Sequence, residues 1–192
     1  MFSSLKTNRP APAEKLLHYS NAVIFLVTLF SYFALVQISN QFFNPATHAG
    51  TFSPGAGFIL GLLLVLPSRQ WLWVIAAVAI GETVTNQLHT YPIVANIFWT
   101  SSNCVEPLLG AALIRRSGNT AGTLAPQSNM FRFIAYAVVV APIIGATIGS
   151  IGTLQVFGTP ILSTWPKWFI GDSLGVLVVA PLILTRFQVN NP

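Results

Sequence analysis

The sequence predicts an all-α fold: a polytopic membrane bundle of six transmembrane helices, with both termini in the cytoplasm. Three observations lead there. Hydrophobic residues make up 53% of the 192-residue chain and charged residues only 7%, whereas a soluble domain carries about a quarter charged residues to keep its surface wet. Apolar stretches recur along the chain at close to the roughly 20 residues a helix needs to cross the hydrocarbon core. The cations gather at the ends of those stretches, and they sort to one side only if there are six spans.

The first span is Tyr19 to Ile38, uninterrupted by charge. The second, Phe52 to Leu66, is short and opens with Ser-Pro-Gly-Ala-Gly, which reads as a broken or re-entrant start. Pro67 and Ser68 mark a tight turn into the third span, Trp71 to Leu88, giving a short helical hairpin. The fourth runs from Ile93 to Ile114, and Gly118, just after Arg115 and Arg116, reads as a helix stop. The fifth covers Phe131 to about Leu154, and the sixth Trp165 to Arg186. Residues 1–18 and 188–192 remain as cytoplasmic tails, the first of them loose, with no cleavable signal peptide. Lys6, Arg9, Lys15, Arg69, Arg115, Arg116, Arg132 and Arg186 then fall on the inner side and only Lys167 on the outer, as the positive-inside rule requires. A miscount by one helix would destroy this sorting.

The formal charge of +5 is therefore explained by topology in a lipid bilayer, and its dispersal excludes a nucleic-acid-binding patch. The lone Cys104 excludes an intramolecular disulfide. The five tryptophans mostly fall near span ends, where indoles favour the headgroup layer. Glycines four apart, Gly57 with Gly61, Gly145 with Gly149 and Gly171 with Gly175, let helix backbones approach. They read as packing within the bundle in preference to dimerisation.

Three of the four acidic residues lie inside spans: Glu82, Glu106 and Asp172. A charge at the bilayer centre costs at least ~2.5–3.5 kcal/mol on insertion scales, so each needs a reason. A helical rise of ~1.5 Å per residue places Glu106 about 13 Å from the inner end of its span, and Glu82 and Asp172 about 20 Å. All three can face one interior. Asn86 shares a helix face with Glu82, and Asn103 with Glu106. Asp172 sits between Gly171 and Ser173, where a neighbouring backbone can come near. A purely structural role is the plain alternative, with interhelical hydrogen bonds worth ~0.6 kcal/mol on average. The functional reading is a pocket that binds a ligand, a proton or a partner helix. No nucleophile motif or aspartate dyad is present, so no enzymatic activity is expected of this segment; His18, His48 and His89 lack metal-ligand spacing, so neither metal nor cofactor is expected.

Four blocks carry a family resemblance: SPGAGFILGLLLVLPSRQWLW, NCVEPLLGAALIRRSG, FRFIAYAVVVAPIIGATIG and WPKWFIGDSLGVLVVAPLIL. Over about residues 50–187 the chain resembles the first family of bacterial membrane-associated sensor domains, the MASE type. Its Asn-x-x-Glu-x-x-x-Gly stretch ending in Arg-Arg falls on Asn103, Glu106, Gly110, Arg115 and Arg116, and its Trp-x-x-Gly-Asp-x-x-Gly stretch on Trp168, Gly171, Asp172, Gly175 and Pro181. Phe52-Ser53 departs from the family's tryptophan-led opening. The resemblance implies that residues 19–187 form a transmembrane sensor domain of the bacterial inner membrane. Such a domain passes a signal to a cytoplasmic output module, a histidine kinase or diguanylate cyclase, and commonly works as a homodimer. The candidate sensing residues are Glu106, Asp172, Asn103, Glu82, Asn86 and Trp168. Two other readings fit the length: a six-helix substrate-binding subunit of a vitamin-type uptake transporter, and an assembly protein that recruits a partner through its glycine faces. Against the transporter, the first span lacks a small-residue docking stripe.

Overall fold

The computed structural model describes residues 20–118, 124 and 127–188. The N-terminal tail with Lys6, Arg9, Lys15 and His18, and the C-terminal tail beyond residue 188, lie outside them. The described chain is all-α: α1 (Asn21–Asn40), α2 (Pro54–Val65), α3 (Trp71–Leu88), α4 (Ile93–Arg116), α5 (Gln127–Phe157) and α6 (Ile161–Gln188). A two-residue antiparallel ladder, β1 (Phe43–Asn44) with β2 (Ala49–Gly50), sits between α1 and α2.

Helix ends follow local chemistry. The Ser20 hydroxyl accepts from the Val23 amide and caps α1. Proline at the first position of α2 lacks only an amide that would have no helical partner, so this helix begins cleanly at Pro54 where a broken or re-entrant turn was expected. It ends at Val65 because Leu66, which precedes Pro67, is driven to the extended region (ψ 146°). A short 3-10 turn, Ser68–Gln70, leads into α3. Gly118, at φ +94°, follows the end of α4, and Gly158, at φ +67°, caps α5. The last two helices are longer than their apolar runs: α5 begins at Gln127 and α6 at Ile161. Trp165 and Trp168 consequently lie inside α6, and Trp99 is buried within α4, so these three do not mark helix ends.

Helix α1 packs on α3, α2 on α6 and α4 on α5, with α2 also against α4. The exterior is strongly apolar: Leu162, Leu72 and Phe30 are 89%, 71% and 70% exposed. The interior holds Glu82, Asn86, Asn96, Ser102, Glu106 and Asp172 alongside aliphatic side chains. This inversion suits lipid, which solvates Leu and Phe but not carboxylates. Helices α1, α5 and α6 are long and apolar enough to cross a membrane. Helices α3 and α4 carry most of the interior polar groups and are less apolar, while the 12 residues of α2 span only about 18 Å.

Between residues 134 and 140 α5 winds as a π-helix. The Ser173 hydroxyl of α6 donates to the Val138 carbonyl there (2.7 Å), so a side chain from the next helix satisfies part of the altered ladder. The open C-terminal carbonyls of α2 find partners in Arg115. Its Nη2 donates to Leu63 O (2.9 Å), Leu64 O (3.4 Å) and Leu66 O, and its guanidinium lies 4.7 Å over the Trp71 ring. Trp71 Nε1 also donates to Leu63 O (2.8 Å). Since hydrogen bonds to charged groups contribute about 1.5–3 kcal/mol each, Arg115→Ala is expected to destabilise the domain by about 2–3 kcal/mol. Arg115→Lys should recover less than half, because an ammonium cannot reproduce the planar fork. Thermal unfolding in detergent checks both.

Candidate functional site

A cavity of about 110 Å³ opens between α1, α3, α4, α6 and the β1–β2 ladder. Its polar floor is built from three helices. Glu82 of α3 accepts from the Tyr32 hydroxyl of α1 (3.0 Å), from Asn86 Nδ2 one turn away (3.4 Å) and from the Asn103 side chain of α4. Asn86 also donates to Asn96 Oδ1 (3.0 Å), which accepts in turn from the Thr100 hydroxyl (2.9 Å).

Asp172 of α6 forms a second acidic centre. Its carboxyl meets the Ser53 side chain and the carboxyl of Glu106 from α4. Both acids are buried, 5% and 2% exposed, and among the described residues Asp172 Oδ2 and Glu106 Oε1 have no hydrogen-bond partner. Asp172 and Glu82 line the same cavity, while Glu106 lies behind Asp172. On α4, then, Asn103 turns to Glu82 and Glu106 to Asp172, although three-residue spacing leads one to expect them side by side. Helix α4 links the two centres. Pro107, lacking an amide, leaves the Asn103 carbonyl without its usual helical donor beside them.

The glycines make this arrangement possible. A Cβ at Gly145 would stand 2.2 Å from Glu106 Oε2, so α5 leaves that carboxyl its room. One at Gly149 would strike the Trp168 ring at 2.4 Å. On α6, a Cβ at Gly171 would come 2.8 Å from Gly50 O, and one at Gly175 1.8 Å from Ser53 O. These two positions admit the chain leading into α2, and the Ser53 amide bonds Gly171 O at 3.0 Å. Gly57 packs against the α6 backbone at Gly175, and Gly61 against Ile183.

Aromatic rings form the walls. Tyr91 meets Trp99 edge-on with centroids 4.9 Å apart, and Trp99 lies 6.3 Å from Trp168. Trp168 Nε1 donates to His48 O (3.2 Å), and Trp99 Nε1 to the Thr153 hydroxyl (3.1 Å). His48 stacks on Phe157 at 3.9 Å and 12°. Burial there pushes its imidazole below the ordinary 6.5. A histidine depressed in the folded state takes up its proton more readily when unfolded, so stability is full above about pH 6.5 and declines as pH falls below it toward the folded value. His48→Phe, which keeps the stack, should flatten that decline in unfolding midpoints measured from about pH 7 to about pH 5.

Of the candidates named from sequence, Glu82, Asn86, Asn103, Trp168 and Asp172 line the cavity and Glu106 backs it. Tyr32, Ser53, His48, Tyr91 and Trp99 line it too and were not singled out. Tyr32 carried a signal, a phenol in the middle of a span, because a buried phenol needs a hydrogen-bond partner.

An apolar exterior around a buried polar cavity defines a membrane-embedded helical domain built to hold acidic groups away from lipid. The MASE1 family model matches residues 22–191, and the chain belongs to this family of membrane sensor domains. Its role is that of a membrane sensory input domain in signalling. Among curated proteins it is similar to the probable diguanylate cyclase DgcE of Escherichia coli (strain K12), 25% identical over 114 residues, which cover 59% of this chain and 10% of that protein. The chain thus spans far less than the length of this relative. No solved structure matches it.

Proposed function

We propose that the domain perceives its stimulus in this cavity and relays it to a cytoplasmic output module. A diguanylate cyclase module is favoured, on the similarity to DgcE. The carrying observation is Asp172, a buried carboxyl that lines the cavity with one oxygen unpartnered among the described residues, while its helix runs on to Arg186. An occupant engaging Asp172 would bear on α6 directly, and on α4 through Glu106. Signalling then requires two helix arrangements that differ in affinity for the stimulus. The π-helical stretch of α5, held by Ser173 one residue from Asp172, is a natural place for the difference.

In this reading six helices span the bacterial inner membrane with both termini inside, and α2 reaches across together with the chain segments at its ends. The cation distribution supports it. Arg115 holds the α2–α3 turn, and Arg132 approaches Gly118 to 3.9 Å from the position of an added Cβ, so these cations share one end. Lys167 bonds the Thr47 hydroxyl (3.2 Å) beside the β ladder at the other. Output would be delivered by a homodimer.

The test is a chimaera with the chain placed ahead of a diguanylate cyclase module, its cyclic-di-GMP production measured in cells. Asp172→Asn and Glu106→Gln are each expected to change output several-fold with membrane insertion intact. Unaltered output in both variants contradicts the proposal.

A further inference from the structure

We infer that the cavity takes a small organic cation, a protonated amine carried on a compact apolar body. This deepens the sensory reading of the same site and rests on it.

Charge is the first ground. Two carboxyls, Glu82 and Asp172, line the cavity, Glu106 stands directly behind, and no Lys or Arg is among the described lining residues. Lys167, the nearest cation along the chain, has its ammonium on Thr47. An anionic ligand would meet like charge in a poorly screened interior, and a cation would meet its complement.

Hydrogen-bond accounting is the second. Glu82 already accepts from Tyr32, Asn86 and Asn103, so its acceptor capacity is largely committed. Asp172 meets Ser53 and Glu106, and its Oδ2 has no hydrogen-bond partner among the described residues, at 5% residue exposure. A buried carboxylate so sparsely supplied with donors is costly, and a ligand N–H reaching Asp172 from the cavity it lines is the kind of group that lowers the cost.

The walls supply the third. Tyr91, Trp99, Trp168, Phe43 and His48 line the cavity around the acids. Aromatic faces attract cations through their quadrupole, most strongly where water is excluded, and they pack against an apolar body equally well. An ammonium on Asp172 beside the Trp168 ring would use both. A metal ion fits less well, since among the described residues no group of three or more His, Cys, Asp or Glu is placed to hold one.

Three probes of one shape and different charge separate the possibilities: benzylamine, benzyl alcohol and benzoate. Each is measured by equilibrium dialysis against the 192-residue protein in lipid nanodiscs at neutral pH. Benzylamine should bind saturably and at least about tenfold more tightly than the alcohol, the weight of one hydrogen bond to a charged group, with benzoate weakest. Asp172→Asn should abolish that preference. Tyr91→Leu, on the loop between α3 and α4, should weaken benzylamine about threefold and the alcohol by less. Equal or tighter binding of the alcohol or benzoate, reduced by Asp172→Asn, overturns the cationic assignment and leaves the cavity as a ligand site. Absence of saturable benzylamine binding to a folded wild-type protein also overturns it, while the chimaera's response to Asp172→Asn and Glu106→Gln judges the sensory reading separately.

Discussion

Gly175→Ala is expected to prevent stable folding. Its new Cβ would lie 1.8 Å from Ser53 O and 2.5 Å from Ser53 C, backbone atoms at the entry to α2. A flexible side chain could swing aside, but here α2 and α6 would have to part. Their separation would withdraw Ser53 from Asp172 and open the buried face of α2, where Ile59, Leu60 and Leu63 are at most 1% exposed. Overpacking costs about 1–3 kcal/mol where side chains can adjust, and more where they cannot. A loss above about 3 kcal/mol is therefore expected, a large share of the 5–15 kcal/mol that typically holds a domain together. Gly57→Ala should behave alike, its Cβ standing 2.1 Å from Gly175 O. Gly50→Ala, with nothing within 4 Å of its Cβ, is the matched control and should unfold with the wild type. Detergent-solubilised protein followed by thermal unfolding and size-exclusion profile decides among the three.

Replacement of Glu106 is expected to depend sharply on what replaces it. The contact with Asp172 joins two carboxyls, and such a contact is attractive only when one of them supplies a hydrogen. Glu106→Gln keeps the shape and provides an N–H donor permanently, so stability should change by no more than about 1 kcal/mol. Glu106→Ala removes the donor and empties the space that Gly145 leaves for the side chain, so a loss of about 2–4 kcal/mol is expected from cavity and unpartnered polar group together. In the cyclase chimaera, the stable Glu106→Gln variant should still shift output, because its donor can no longer be exchanged. Equal stability of the Gln and Ala variants would show that the two carboxyls do not interact.

Much of this was legible in the sequence, and the limits have physical causes. Composition revealed an all-α membrane protein because the bilayer permits few alternatives. The acids stood out because each is expensive in oil, and that expense drew attention to Glu82, Glu106 and Asp172 before any fold was known. Their partners were less visible. Helical spacing places Asn103 beside Glu106, yet Asn103 bonds Glu82 across to α3, since spacing describes one helix and the choice of partner belongs to the bundle. Ser53 reaches Asp172 only because Gly171 and Gly175 let a distant segment approach, which no periodicity encodes. The glycines read as helix-packing stripes, whereas Gly145 and Gly149 also make room for the side chains of Glu106 and Trp168. Trp99 and Trp168 read as interface markers, but the helices extend past them and both rings face the cavity. The local signals of turns and helix stops served better: Pro67 and Gly118 each act at the boundary they suggest.

Carboxyl-carbon solid-state NMR in lipid bilayers addresses the central geometry with little ambiguity, because the chain has four acidic residues and Asp172 is its single aspartate. With Asp and Glu labelled at their carboxyl carbons, Asp172 Cγ should show a short-range through-space correlation to one glutamate, and Glu106→Gln should remove that correlation. An Asp172 signal with no glutamate neighbour, or one indifferent to Glu106→Gln, would mean that these acids do not meet in a shared interior, and the site would have no basis.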